Sequence, residues 1–327
     1  MKQRDYKLDF LRVMSMFMVV IIHVANCYTR NYSNITNFSY LGSIIFNVIS
    51  RISVPIFFMI SGALLANREF DKKKYISRIK KFIIIIIFWD IIYLVWEYFF
   101  LGVKYNNLYK LLFEPYRKHL WFLYAITLIY IIQPIISYII RKSNSLIKIL
   151  IIILWFIICN IGFFYFKSSS VISNICYIGY FILGNILYNN SAYKKLKKYN
   201  LLLLFISIIC IVLNIVLSYK ISLNHNTFVK TLLAYKCPLI IISSSLIYIY
   251  ILNNYVPKKV NLILKISEVS FGVYLIHGIF LDIIKKVFNL YGINSFIGII
   301  VFSVIIFLLS YLSIIIIKKT KLSKYIM

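Results

Sequence analysis

The feature that most constrains this chain is the recurrence of apolar runs long enough to cross a lipid bilayer. About 20 apolar residues in a helix span the roughly 30 Å of hydrocarbon in a membrane. Ten such runs occur, at about residues 9–27, 41–65, 82–101, 120–140, 146–166, 171–189, 200–219, 230–252, 266–284 and 294–317. Lipid cannot hydrogen-bond a bare backbone, so segments of this kind and length fold as helices. Composition agrees. Of 327 residues, 62% are hydrophobic and only 14% charged, where a soluble domain carries about 25% charged residues. A water-soluble fold is excluded, and so is a disordered chain, which requires low hydrophobicity. No Pro/Gly-rich linker divides the sequence, which reads as a single integral domain over residues 1–327. The opening run is too long for a cleavable signal and carries Arg12 and His23. The expected fold is all-α: a polytopic membrane helix bundle of ten transmembrane helices.

Charge orients the bundle. There are 37 Lys and Arg against 9 Asp and Glu, a net +28. On a soluble domain that excess would point to nucleic acid. Here it concentrates in alternate loops, as the positive-inside rule requires. With the N-terminus in the cytoplasm, the inner segments hold Lys2, Arg4 and Lys7, the run from Arg68 to Lys81, Lys194 to Lys198, Lys258 and Lys259, and Lys318 to Lys324. The outer segments hold far fewer, among them Arg30, Lys104, Lys110, Arg117 and Lys167. The expectation is N-in, C-in, with an even number of spans; nine or eleven would put one terminus on the wrong side. Nucleic acid is not expected as a partner; membrane lipid is. Five cysteines show no CxxC spacing, so neither a metal site nor a disulfide framework is expected.

Polar residues inside spans are expensive, a central charge costing on the order of 2.5–3.5 kcal/mol on insertion scales. Something must compensate them. In the first span, Arg12 and His23 are eleven residues apart, three helical turns with about 20° left over. They lie on one stripe roughly 16 Å apart along the axis, with Asn26 a turn above His23. Histidine suits general-base work on a hydroxyl, and arginine suits phosphate or carboxylate. The bland alternative is an arginine snorkelling to the interface and a histidine bonded to a neighbouring helix. In the second span Arg51 is close to mid-membrane, with Asn47 on the same face, and no acid nearby in sequence. It needs a partner on another helix or an anionic ligand. Pro55 interrupts this helix, and Ser61 and Gly62 allow close helix approach. Arg78 and Lys81, one turn apart at the start of the third span, make a cationic pair that suits phosphate, although basic inner loops look like this anyway. His119 and Trp121 stand at the outer mouth of the fourth span, where aromatic belts occur regardless of function and where a sugar ring could also stack. In the ninth, Ser270, Tyr274 and His277 share a face, while Glu268 points the opposite way. Asp90, Glu97, Lys236 and Asp282 complete the set of intramembrane polar residues.

These segments together resemble the acyltransferase-3 superfamily, integral membrane O-acyltransferases of bacterial envelope glycans. The Arg/Lys, ten residues, His signature stands as Arg12 to His23. The FFxxSG element stands as Phe57, Phe58, Met59, Ile60, Ser61 and Gly62. HLWFLYA at 119–125 and SFGVYLIHG at 270–278 are similar to later blocks. The resemblance covers essentially the whole chain. It implies an acyl-CoA donor, usually acetyl-CoA, bound from the cytoplasm as a co-substrate rather than a resident cofactor. It implies as acceptor a hydroxyl on a glycan or lipid-linked sugar. It makes His23 the catalytic histidine and Arg12 its partner; Ser61 and Gly62 would line the donor path, and Arg78 and Lys81 would serve the CoA phosphates. Asn26, Arg51, His119, Trp121, Tyr274 and His277 are expected to support the acceptor side. Two departures stand out. Lysine occupies position 81 where arginine is usual, and Pro55 and Ile56 stand where many members carry an acid. The resemblance thus points to the subgroup with Arg51 that acylates lipid-linked sugars or exopolysaccharide. The implied home is the bacterial cytoplasmic membrane.

The sequence leaves open whether His23 deprotonates the acceptor or first takes the acyl group itself. It also leaves two rival classes. A flippase for lipid-linked saccharides would share the buried arginine and outer aromatics, but does not require a basic loop feeding a stripe with one histidine. A polyprenyl-phosphate glycosyltransferase needs acids in the first outer loop, and YTRNYSNITNFSY has none.

Overall fold

The computed structural model describes residues 4–65, 70–103, 115–166, 170–189, 192–256, 260–320 and 323. Several of the basic residues used to orient the chain, Lys2, Arg68, Lys104, Lys110, Lys167, Lys258, Lys259, Lys321 and Lys324, lie outside the described residues. The described chain is helical with no strand. Among the described residues ten helices are long and apolar enough to cross a membrane: α1 (Tyr6–Thr29), α2 (Asn37–Leu65), α3 (Lys72–Leu101), α4 (Lys118–Lys142), α5 (Ser145–Phe164), α6 (Ser170–Asn189), α7 (Lys197–Asn224), α8 (Thr231–Asn254), α9 (Val260–Val287) and α10 (Ser295–Lys318). Each coincides with one of the ten apolar runs. The main difference is α3, which starts ten residues earlier than its run, because Lys72 to Lys81 continue the helix beyond the apolar stretch.

The start of α1 and the end of α10 lie on one side. Glu268, near the start of α9, pairs with Arg4 at 3.6 Å and with Lys318, the last residue of α10, at 2.9 Å. An even number of spans requires this. The surfaces divide as lipid solvation demands. In α3, α5 and α7 only 22% of the apolar window is buried, against 72% in α2. Contiguous exposed apolar faces of that extent would aggregate in water, and a lipid bilayer solvates them. The chain is a multi-pass membrane protein.

α1 is central and packs against α2, α9 and α10. Leu11, Met16, Val20, Val24 and Tyr28 are fully buried, on more than one side of the helix. α2 is broken. Its first half ends at Ser50, the Arg51 N–H bonds back to the Val48 carbonyl at 3.1 Å, and the second half starts at Ser53. Pro55 therefore falls in the first turn of the second half, where a missing N–H costs no helical bond. The interruption expected from Pro55 is found just ahead of it, at Arg51.

The second half of α2 is pressed backbone to backbone against α6. A Cβ on Gly62 would stand 1.8 Å from the Phe181 carbonyl oxygen, and one on Gly184 would stand 2.1 Å from that of Met59. The two glycines face each other's helices and set the spacing. In lipid such contacts rest on close van der Waals packing, which small residues permit.

Candidate active site

A cavity of about 1630 Å³ runs beside α1, lined along that helix by Arg12, His23, Asn26 and Arg30. Eighteen residues at 1.5 Å per residue make about 27 Å between its ends, close to the thickness of the hydrocarbon core. It exceeds the roughly 300–1,000 Å³ of a pocket for one small ligand and has room for two substrates. The stripe read from the sequence faces this cavity, with Arg12, His23 and Asn26 all among its lining residues.

At the N-terminal end of α1, Arg12, Ser61, Arg78 and Lys81 line the cavity. Two helices, α1 and α3, bring three cations to this end, and α2 adds the Ser61 hydroxyl. Asp9, buried to 4% exposure, fixes Arg12 from one turn below. Its carboxylate accepts from Arg4 Nε at 2.8 Å, from Arg12 at 3.3 Å and from Ser267 Oγ at 2.5 Å. Arg12 also donates to Ser267 Oγ at 3.1 Å. The Arg78 guanidinium lies over the Tyr130 ring, 5.8 Å from its centre. Gly62 departs from expectation: it lies against α6, and its neighbour Ser61 alone reaches the cavity.

Midway, three imidazoles meet. The ring of His23 is 4.9 Å from that of His277 and 6.0 Å from that of His119, and the last two are 5.1 Å apart, centre to centre. His277 Nδ1 lies 2.6 Å from the Tyr274 carbonyl oxygen. A carbonyl can only accept, so Nδ1 carries the proton and Nε2 presents a lone pair. That Nε2 is buried without a partner, as is His119 Nε2. The His23 ring makes no hydrogen bond with the described residues.

His119 was expected at an interface; instead it is buried to 8% exposure, inside the bundle. The segment before α4 is pulled inward. Asp90 accepts the Tyr116 N–H at 3.1 Å and the Tyr124 hydroxyl at 2.5 Å, Arg117 pairs with Glu97 and Asp282, and the Tyr274 hydroxyl donates to the His119 carbonyl at 2.6 Å. Gly278 leaves the space: a Cβ there would meet His119 Cε1 and the Tyr93 hydroxyl, both at 2.8 Å.

Beyond His23, Asn26, Arg51 and Trp121 line the cavity. Arg51 Nε donates to Asn47 Oδ1 at 3.0 Å, and its other nitrogens reach Asn26 Oδ1 and the Tyr235 hydroxyl, each at 3.4 Å. Trp121 stacks on Tyr235 at 5.6 Å and tilts against Tyr177 at 5.1 Å, giving an aromatic wall. Glu97 and Asp282 are the only carboxylates lining the cavity among the described residues, and both are committed to Arg117. An imidazole is therefore the free base at its centre.

The match to known families agrees with this geometry. The family model described as Acyltransferase domain, Acyl_transf_3, matches residues 5–317. The chain belongs to the acyltransferase-3 family. No curated protein and no solved structure matches it.

In this acyltransferase eleven of the twelve site residues expected from the sequence line one cavity, Gly62 being the exception, while the residues that support them carry weaker sequence signals. Asp9 was overlooked, although an acid and Arg12 at i, i+3 in an apolar helix are a readable pair. Arg117 was counted as an outer loop charge. Tyr177 and Tyr235 had no signal, because tyrosine is abundant throughout this chain.

Proposed function

We propose that this acyltransferase moves an acyl group, most simply acetyl, from acyl-CoA to a hydroxyl of a cell-surface or lipid-linked polysaccharide in the bacterial cytoplasmic membrane. The observation that supports it is the single cavity running from the Arg12, Arg78 and Lys81 cluster, past His23, to the aromatic wall. With the N-terminal end of α1 in the cytoplasm, the three cations meet the donor's phosphates. Arg12 and Arg78 can grip a phosphate with two parallel bonds, whereas Lys81 acts as a point charge. The donor's pantetheine arm then extends along the α1 stripe and carries the thioester to His23.

There the acceptor hydroxyl attacks the thioester carbonyl. His23 takes the hydroxyl proton, the new C–O ester bond forms as the C–S bond breaks, and the departing thiolate receives a proton to leave as free CoA. The same residues also fit a two-step course in which His23 carries the acyl group and then yields it to the hydroxyl. In either course acyl-CoA is consumed and released as a co-substrate.

The test uses purified protein in lipid nanodiscs with acetyl-CoA and an acceptor extract from envelope glycans. The expected result is acceptor-dependent release of CoA thiol together with an acetyl mass increment on the glycan. His23→Ala should abolish both while retaining wild-type helix content. Undiminished turnover in His23→Ala, or glycan movement across the bilayer with no CoA release, overturns the proposal.

A further inference from the structure

The part of the cavity beyond His23 carries more positive charge than its own residues neutralise. Arg117 is held by Glu97 and Asp282. Arg30, Arg51, Lys230 and Lys285 also line this part, and among the described residues no carboxylate lies within 4.0 Å of any of these four. Arg51 is the informative member. It sits at the break in α2, away from either membrane surface, where a charge is costly unless something compensates it. Its three partners, Asn47, Asn26 and Tyr235, are all neutral, and two of the bonds are long, at 3.4 Å. A guanidinium has five N–H donors, so two more are left over at the cavity.

The position of Arg51 decides which substrate it serves. It bonds Asn26, three residues beyond His23, about 4.5 Å farther along α1. The cationic cluster around Arg12 lies about 16 Å from His23 in the opposite direction. Arg51 is thus on the acceptor side, and beside it stands the wall of Trp121, Tyr235 and Tyr177. An aromatic wall next to an unneutralised fork-shaped cation fits a sugar ring that carries an oxyanion.

Resting on the function proposed above, we infer that the acceptor is an anionic sugar whose carboxylate or phosphate ester is seated on Arg51. Its ring packs against Trp121 and Tyr235, and the hydroxyl to be acylated lies one helical turn away, at His23. The anion supplies the compensation that the neutral partners of Arg51 do not.

The experiment measures binding first, independently of turnover. Protein in nanodiscs is saturated with CoA to fill the Arg12 end, and affinity is measured for glucose, glucuronate and glucose 1-phosphate. Wild type should bind at least one of the two anionic sugars about tenfold or more tightly than glucose, and Arg51→Gln should lose that preference. Which anionic sugar wins separates a carboxylate acceptor from a phosphate ester. Arg51→Lys, which keeps the charge without the fork, should retain part of the preference and guards against a misfolded Gln variant. Equal affinity for all three sugars, or an anion preference untouched in Arg51→Gln, overturns the inference even if acetyl transfer to glycan is observed. CoA release measured on the same samples reports separately on the transferase reaction.

Discussion

The imidazole of His23 lies 4.9 Å, ring centre to ring centre, from that of His277, and the two rings differ in what they can do. His277 has its Nδ1 proton committed to the Tyr274 carbonyl, so its Nε2 can only accept. His23 has no fixed partner among the described residues and is free to turn toward a substrate. A base that takes a proton must pass it on before it can act again. The lone pair of His277 is the acceptor at hand.

Replacing His277 by Gln keeps the bulk and polarity but removes the capacity to carry a proton. We expect kcat to fall on the order of 10²-fold, in line with loss of a general acid–base group, while KM for acetyl-CoA stays within about twofold. Steady-state kinetics with both substrates varied measures the split. An unchanged kcat would show that His277 serves only to hold α9 in place.

Asp9 makes a second prediction. It is buried between Arg4 and Arg12, and only Arg4, with its side chain 46% exposed, can turn to water when the carboxylate is lost. Arg12 then loses its ionic partner and keeps the neutral Ser267 hydroxyl, while Arg4 retains Glu268 at 3.6 Å. Asp9→Asn should raise KM for acetyl-CoA about tenfold, with a smaller effect on kcat, because the interaction is made in the ground state and the transition state alike. Ser267→Ala should raise it only a few-fold. If Asp9→Asn lowers kcat and leaves KM unchanged, Arg12 acts on the reacting atoms rather than on the donor's phosphates.

How far the sequence carried this can be traced through particular residues. The ten spans were legible because the 20-residue apolar run is a direct consequence of bilayer thickness. The Arg12–His23 stripe was legible because helical periodicity is fixed. The sequence places His119 at the outer mouth, and the structure buries its side chain among other helices. A histidine and a tryptophan at a helix start look interfacial, and nothing local says that Asp90 and Asp282, on other spans, draw residues 115–120 into the bundle. The meeting of His23, His119 and His277 was hidden for the same reason: each sits on a different helix, and pairing between helices is not written in any one of them. The sequence shows Arg51 as needing a partner on another helix or an anionic ligand; its contacts with the neutral Asn26 and Tyr235 depend on how α1, α2 and α8 pack and leave its charge without a counter-ion among the described residues.

The crossing of α2 and α6 gives a stability prediction that should leave chemistry alone. Gly62→Ala places a methyl group 1.8 Å from the Phe181 carbonyl oxygen, a backbone atom that cannot swing away. Overpacking of this kind costs about 1–3 kcal/mol. We expect a clear drop in Tm in detergent and reduced yield, with KM for acetyl-CoA of the surviving protein unchanged because Gly62 does not line the cavity. Ser61→Ala, one residue away but facing the cavity, should reverse the pattern, with Tm retained and KM raised. Equal effects on Tm from the two substitutions would count against Ser61 facing the cavity while Gly62 faces α6.

Gly278 offers the sharpest test of whether the buried position of His119 matters. An alanine there brings a methyl group to 2.8 Å from both His119 Cε1 and the Tyr93 hydroxyl. Tyr93 is pinned by its bond to the Leu275 carbonyl at 2.7 Å, so the imidazole of His119 must give way. Its backbone is held by Tyr274, which leaves rotation of the ring, away from His277 and His23. Gly278→Ala should therefore lower kcat tenfold or more with little change in helix content. The double-mutant cycle with His119→Ala separates cause from coincidence. If displacement of His119 is the reason for the loss, the substitution at 278 should cost nothing further once the imidazole is gone, so the two effects should be strongly non-additive. Additive losses would mean that the methyl group harms the site by a route that does not pass through His119.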